Sequence, residues 1–185
     1  MLQETMDVVH NFARELRPAI LDELGLLPAL RSHLKAFQEL NGLQVSFRGT
    51  PAAEELDIEQ KTVLYRIAQE SLTNVAKHAE ASRVEVVLRK TGKAIRMEIA
   101  DDGKSFREDA KNLTRRKQRL GLLGMEERVR QVYGRFSIEP RAGRGTTVRV
   151  VLPCKPDTRA WVASAMVEIC PAPADDAGKM APSVG

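Results

Sequence analysis

The spacing of apolar residues along the chain predicts helices first and a sheet afterwards. Apolar positions recur at helical spacing over residues 5–16 and again over residues 30–40, where Asn41-Gly42 is a typical helix stop signal. Residues 43–47 alternate apolar and polar side chains, as a half-buried strand does. Two helices are therefore predicted within the first 40 residues, with the helical pattern interrupted at Pro18, and a strand follows them directly.

The helix predicted over residues 57–79 has two distinct faces. At about 100° per residue its apolar side chains fall within one arc. They are Leu64, Ala68, Leu72, Val75 and Ala79. Glu70, Asn74 and Lys77 fall nearly opposite, with His78 at their edge. Taken alone, this polar face is more typical of solvated surface than of half a binding site.

Four segments with period-two alternation follow this helix and predict a sheet. They are residues 84–89, 95–99, 136–138 and 148–152. Thr91-Gly92-Lys93 predicts a hairpin turn between the first two, and a turn over residues 141–144 pairs the last two. A polar loop, residues 104–119, and a helix, residues 122–133, separate the pairs. The predicted fold class is α+β, with a mixed, mostly antiparallel sheet covered by helices on one face.

Composition restricts the classes of function. The chain of 185 residues is long enough for one packed domain with an attached helical piece. A net charge of +4 and 4% aromatic residues give no support for nucleic-acid binding. Cys154 and Cys170 form no metal-ligand pair, and neither a signal peptide nor a membrane span is visible. We therefore expect a reduced, cytoplasmic protein. Residues 155–185 are rich in proline and alanine and are predicted to be mostly disordered.

Three glycine-bearing segments follow the polar helix face in chain order. Asp101-Asp102-Gly103 ends a strand, Gly121-Leu122-Leu123-Gly124-Met125 begins a helix, and Gly143-Arg144-Gly145-Thr146 leads into the last strand. A single glycine turn usually does no more than reverse the chain. In combination with Glu70 and Asn74 the segments are more specific.

A bound nucleotide has three requirements that these segments can meet. Its phosphates need backbone donors, which glycine allows to approach closely. A magnesium ion that keeps several waters needs only one or two protein oxygens, such as the Asn74 amide. The adenine amino group needs a buried acceptor, and Asp101 lies at a strand end where one could be held. The residues therefore indicate a site for a magnesium-bound adenine nucleotide.

The four motifs together resemble the N, G1, G2 and G3 boxes of the GHKL ATPases, the superfamily of DNA gyrase and the histidine kinases. The motifs are Glu70-x-x-x-Asn74-x-x-Lys77-His78, Asp101-x-Gly103, Gly121-x-x-Gly124-Met125 and Gly143-x-Gly145-Thr146. The resemblance implies the Bergerat fold, an α/β sandwich preceded here by a helical segment. Two further segments are similar to sensor histidine kinases of the nitrate-sensor and DesK type. They are Glu15-Leu16-Arg17-Pro18 with residues 21–26, and residues 124–129.

The resemblance implies a division of the chain and a role for each motif residue. Residues 1–40 would be the end of a dimerisation and histidine-phosphotransfer region, residues 41–154 the ATPase domain, and residues 155–185 a tail. Asn74 would bind Mg²⁺ and Asp101 the adenine amino group. Three residues would be catalytic: Glu70 would orient or deprotonate the attacking group, and Lys77 and His78 would lie near the phosphates. The other ATP-binding positions would be Gly103, Gly121, Leu122, Gly124, Met125, Gly145 and Thr146, around a lid over residues 102–120.

The implied function is that of a two-component sensor histidine kinase, which transfers the γ-phosphate of ATP to a histidine. The implied partners are ATP, Mg²⁺, a histidine-bearing dimerisation domain and a response regulator. With the upstream helix present, they also include a second copy of the chain. The family's acceptor histidine would precede Met1, and His10 and His33 are poor candidates for it.

The lid departs from the family pattern at Ser105 and Arg119. A non-catalytic ATP-binding regulatory module of the GHKL type is therefore the alternative. An anti-sigma-factor serine kinase is disfavoured by the segments around Pro18 and Leu24.

Overall fold

The computed structural model describes residues 19–104, 113–141 and 145–154. Several predictions lie outside these residues: the helix over residues 5–16, His10, Ser105, Gly143 and the tail over residues 155–185. The division into domains stays a prediction. Within the described ranges, none of the helices combines the length and the hydrophobicity that crossing a bilayer requires.

Two helices begin the described part of the chain. Helix α1 (Ala19–Leu24) is followed by Gly25 and by α2 (Leu26–Asn41). Gly42 ends α2 in the left-handed conformation and donates its N–H to the Gln38 carbonyl at 2.9 Å, as the predicted stop signal requires. Leu40, an apolar position within the predicted helix over residues 30–40, is 85% exposed. The buried stripe of α2 therefore ends before the last turn.

Five strands form one sheet in the order β1-β2-β3-β5-β4. They are β1 (Gln44–Arg48), β2 (Arg83–Thr91), β3 (Ala94–Asp101), β4 (Arg135–Arg141) and β5 (Gly145–Pro153). Strands β1 and β2 are parallel, and the other pairs are antiparallel. Thr91 pairs with Ala94, so Gly92, at φ +59°, and Lys93 form a two-residue turn. The predicted α+β class and mixed sheet are confirmed.

Helix α3 (Ile58–Asn74) carries the two faces that the sequence predicts. Asp57 accepts a hydrogen bond from the Gln60 N–H at 2.8 Å and so caps the first turn. All five apolar residues of the predicted arc are buried. After Asn74 the helix widens into one π-helical turn (Val75–Ala79), and Glu80 follows in the left-handed conformation. The prediction of one helix to residue 79 is thus confirmed in extent and corrected in geometry.

Helix α4 (Leu113–Gln131) corrects the prediction of a polar loop up to residue 119. The second half of that loop is helical, because arginine, lysine and glutamine are good helix formers even where no apolar stripe marks them. Gly121 and Gly124 therefore lie inside a helix and not at its start. Met125 and Val129, one turn apart, are both fully buried and hold α4 to the core.

One core lies between the helices and a single face of the sheet. The fully buried residues on the strands are Val84, Val86, Ile95, Met97, Val150 and Leu152. The opposite face of the sheet is charged: Glu98 lies 2.8 Å from Arg89 and 2.8 Å from Arg149. This contrast explains the alternation in the sequence.

Glu54 joins the start of α2 to the rest of the domain. It lies on a 3-10 turn (Pro51–Glu55), where Oε1 accepts from the Leu27 N–H at 2.7 Å and Oε2 from the Leu26 N–H at 3.1 Å. Lys61 Nζ lies 3.3 Å from Oε2. Burial alone would raise the pKa of Glu54, but the two N–H groups and Lys61 hold it below its ordinary value.

Replacing Glu54 by glutamine should destabilise the protein by about 1–2 kcal/mol at pH 7, because one N–H acceptor and the charge at the helix start are lost. Since the pKa of Glu54 is lowered in the folded state, its stabilisation is present above the unfolded pKa and is lost as pH falls through the folded pKa. Urea unfolding at several pH values measures both effects.

The matched control is Glu55→Gln. The Glu55 side chain is 65% exposed and lies 3.6 Å from Lys90, so its loss should cost less than about 0.5 kcal/mol. Equal free energies of unfolding for the two variants at pH 7 would show that Glu54 does not hold α2.

Candidate nucleotide-binding site

Asp101, at the end of β3, is a buried acceptor. It is 9% exposed, its Oδ1 accepts from the Gly103 N–H at 2.9 Å and its Oδ2 accepts from the Thr146 N–H at 3.2 Å. Burial raises the pKa of Asp101, against the opposing effect of these two N–H groups. Each oxygen has a second lone pair, so the carboxylate can accept a further donor such as an adenine amino group.

Two glycines allow backbone segments to approach each other around Asp101. A Cβ on Gly145, at φ +89°, would overlap the carbonyl oxygen of Asp101 and lie 2.6 Å from its carbon. A Cβ on Gly103 would overlap the carbonyl oxygen of Ala79 and lie 2.8 Å from its carbon. The ends of β3 and of the π-helical turn and the start of β5 therefore meet backbone to backbone. Neither glycine position has room for a side chain, so these segments approach closely beside the buried carboxylate.

The polar face of α3 and the π-helical turn places the other candidate groups. Glu70, Asn74 and His78 are half-buried, and Lys77 is exposed. A Cβ on Gly121 would lie 3.0 Å from Glu70 Oε1, so α4 packs closely against this face. Residues of the predicted N and G2 motifs are thus neighbours. π-Helical turns occur frequently at functional sites.

Met125 has a structural position that the sequence did not indicate. It is fully buried, and Ser71 Oγ donates to its sulfur at 3.9 Å, which joins α3 to α4. Leu122 and Gly124 are half-buried on the same helix. The contact of any of these residues with ATP stays a prediction, and the burial of Met125 fits a packing role.

Sequence reasoning missed Asp102 and its partner Ser82. Asp102 is exposed, yet its carboxylate accepts hydrogen bonds from Ser82 and Arg83. A second carboxylate beside Asp101 was visible in the sequence, but nothing there indicated what it contacts.

Mg²⁺ has no cage of protein ligands in the described part of the chain. No group of three or more histidine, cysteine or acidic side chains in those residues could hold a metal ion. The predicted Mg²⁺ site depends on the Asn74 amide alone, and an ion that retains its waters and phosphate ligands needs no more than one or two protein oxygens.

The chain shares sequence features with a family of known proteins. The sequence profile described as histidine kinase-, DNA gyrase B-, and HSP90-like ATPase matches residues 59–156. This match spans α3, the π-helical turn and strands β2 to β5. The chain belongs to this ATPase family. The predicted resemblance to GHKL ATPases is confirmed.

A curated relative of this ATPase domain is the oxygen sensor histidine kinase NreB of Staphylococcus carnosus (strain TM300). It is 37% identical over 155 residues, which are 83% of this chain and 43% of that protein. The chain therefore spans less than half the length of this relative. The match extends beyond the ATPase profile and supports a likeness to sensor histidine kinases.

Solved structures share the fold. The blue-light activated histidine kinase of Erythrobacter litoralis EL346 superposes with a TM-score of 0.59 at 19% identity, over 72% of this chain and 43% of that one. The mycobacterial sensor histidine kinase MprB gives a TM-score of 0.52 at 19% identity, over 68% of this chain and 92% of that one. At such identities the likeness is evidence for the fold.

Proposed function

We propose that the chain is the ATP-binding catalytic part of a two-component sensor histidine kinase, located in the cytoplasm. The observation that carries the proposal is the Asp101 carboxylate, which is buried, is oriented by two backbone N–H groups and retains lone pairs for a donor. Its place at the junction of three backbone segments, in a domain of an ATPase family, favours an adenine base as that donor.

Each candidate residue has a proposed task in this function. Asp101 accepts the adenine amino group, and Asn74 supplies an oxygen to Mg²⁺. Glu70 orients or deprotonates the attacking imidazole, while Lys77 and His78 lie near the phosphates. ATP supplies the γ-phosphoryl group. The remaining positions shape the site around it: Gly103, Gly121, Leu122, Gly124, Met125, Gly145 and Thr146.

The position of Glu70 beside Gly121 supports its task. Helix α4 contains the last residues of the predicted lid and packs within reach of this carboxylate at Gly121, so movement of α4 relative to α3 would change access to Glu70. Closure of such a segment excludes water and aligns reacting groups.

The proposed partners follow from the family. A histidine-bearing dimerisation domain would receive the phosphoryl group, and a response regulator would take it from that histidine. A second copy of the chain would associate through the helices that precede the ATPase domain.

Phosphoryl transfer tests this function. The purified chain is mixed with Mg²⁺, ATP labelled on the γ-phosphate and a dimerisation domain that bears the acceptor histidine. Acid-labile label on the domain is the expected result, and Asn74→Ala should reduce its rate at least about tenfold through loss of the Mg²⁺ ligand. Asn41→Ala, which removes an amide from the exposed end of α2, is the matched control.

Binding of ATP without transfer to any histidine domain would contradict the kinase assignment. It would support the alternative, a regulatory nucleotide-binding module of the same family.

A further inference from the structure

The exposed carboxylate of Asp102 accepts three hydrogen bonds from within the protein. Its Oδ1 accepts from the Ser82 N–H at 2.8 Å and from the Arg83 N–H at 2.8 Å, and its Oδ2 accepts from Ser82 Oγ at 3.0 Å. The N–H groups of Arg83 and Ser82 hold the pKa of Asp102 below its ordinary value. Asp102 therefore stays ionised at neutral pH and accepts hydrogen bonds from two backbone N–H groups at the start of β2.

The three residues after Asp101 extend these contacts along the backbone. The Asp102 N–H donates to the Arg83 carbonyl at 3.2 Å, and the Lys104 N–H donates to the Ala79 carbonyl at 2.6 Å. Between them, Gly103 lies against the same Ala79 carbonyl with no room for a Cβ. Residues 102–104 are thus joined to residues 79–83 by side-chain and backbone hydrogen bonds together.

This junction links the two halves of the candidate site. Asp101, at the base end, directly precedes it on β3. Ala79 ends the π-helical turn that carries Lys77 and His78, and Asn74 precedes that turn. The base end and the phosphate end lie on different elements. Asp102 binds residues 82 and 83, which follow the π-helical turn, and the Lys104 N–H binds the Ala79 carbonyl at the end of that turn.

A nucleotide that spans both ends requires a fixed distance between them. Misplacement of groups by about 1 Å can cost about 100-fold in an assembled site. A ligand that uses only one end has no such requirement, because the distance to the other end does not enter its binding free energy.

We propose that Asp102 is a positioning residue, which fixes the spacing between the adenine end and the phosphate end of the site. The inference rests on the proposed function in one respect: the ligand of the site is an adenine nucleotide. Asp101 contacts the base, whereas Asp102 holds the two ends in register and does not touch the nucleotide.

The test compares a ligand that spans the site with one that does not. For Asp102→Ala, the Kd of Mg²⁺-ATP, from calorimetry, should rise about tenfold or more. The Kd of adenosine, from an NMR titration, should change less than about twofold, because both hydrogen bonds that orient Asp101 remain. A variant that only destabilised the fold would lower the affinities for both ligands equally.

Two further variants sharpen the comparison. Asp102→Asn keeps an oxygen for the two backbone donors, so it should restore most of the affinity for ATP. Glu80→Gln is the matched control: it removes an exposed carboxylate of the same junction, paired with Lys104, and should change neither Kd. Where Asp102→Ala does not fold, Ser82→Ala removes only the contact to Oδ2 and should shift the ATP affinity in the same direction by a smaller factor.

The outcomes separate this inference from the proposed function. Equal changes in the affinities for ATP and adenosine, or no change in either, in a folded Asp102 or Ser82 variant would overturn the positioning role and leave the proposed function standing. Absence of ATP binding by the unmodified chain would overturn both.

Discussion

Asp101→Asn should weaken the binding of ATP severely and leave the protein folded. The amide has one oxygen where the carboxylate has two, so one of three donors must face an NH₂ group. These donors are the Gly103 N–H, the Thr146 N–H and the adenine amino group. A lost hydrogen bond to a charged acceptor and an unsatisfied buried donor together correspond to a Kd at least about 100-fold higher. Calorimetry with Mg²⁺-ATP measures this Kd.

The stability of this variant should change little, because the Asp101 carboxylate is costly to ionise in its buried position. Burial raises its pKa in the folded state, so the contribution of Asp101 to stability is present at low pH and is lost as pH rises through the folded pKa. Asparagine does not ionise and avoids this loss, which offsets the weakened contact with the Thr146 N–H. The expected change in Tm is less than about 4 °C.

Asp57→Asn is the control for this experiment. Asp57 caps α3 through the Gln60 N–H, and asparagine is an equally good cap, so neither ATP affinity nor Tm should change appreciably. Normal ATP binding by Asp101→Asn would show that the base lies elsewhere. Unfolding of Asp101→Asn would show that the carboxylate serves the fold and not a ligand.

Gly145→Ala should lower the stability of the protein and also remove ATP binding. Gly145 is at φ +89°, where a side chain costs about 1–3 kcal/mol. Its Cβ would also overlap the Asp101 carbonyl and lie 2.7 Å from Asp101 Oδ1, and such overpacking costs about 1–3 kcal/mol more. The expected loss of stability is therefore about 2–6 kcal/mol, measured by urea unfolding.

Gly92→Ala separates the two costs. Gly92 is also at positive φ, +59°, but a Cβ there would meet nothing within 4 Å. Its replacement should cost only the conformational part, about 1 kcal/mol, and leave ATP binding intact. Equal losses of stability in the two variants would contradict the close approach of β5 to the end of β3.

Local patterns in the sequence predicted the elements that local patterns determine. The two faces of α3 follow from the helical period, and the burial of Leu64, Leu72 and Ala79 follows from their spacing. The hairpin at Gly92 follows from turn chemistry. The start of α4 could not be found in this way, because residues 114–119 are all polar and carry no periodic signal.

Contacts between segments that are distant in the sequence could not be predicted from these local patterns. Glu54 binds N–H groups 27 and 28 residues before it, and Asp102 binds groups 19 and 20 residues before it. Neither of these contacts is marked by a periodic pattern or a motif in the sequence. The glycines were predicted to allow the approach of a nucleotide, whereas the structure shows that Gly103 and Gly145 first allow the approach of the backbone to itself.

The proposed function requires Asp101, the π-helical turn and the start of β5 to contact one ligand. A titration of the ¹⁵N-labelled protein with Mg²⁺-ATP tests this most directly. Saturable shifts at the amides of Gly103 and Thr146, together with shifts across residues 75–79 at the same Kd, are the predicted result. No shift at the two amides that bind Asp101, or shifts in the two regions with different Kd values, would contradict it.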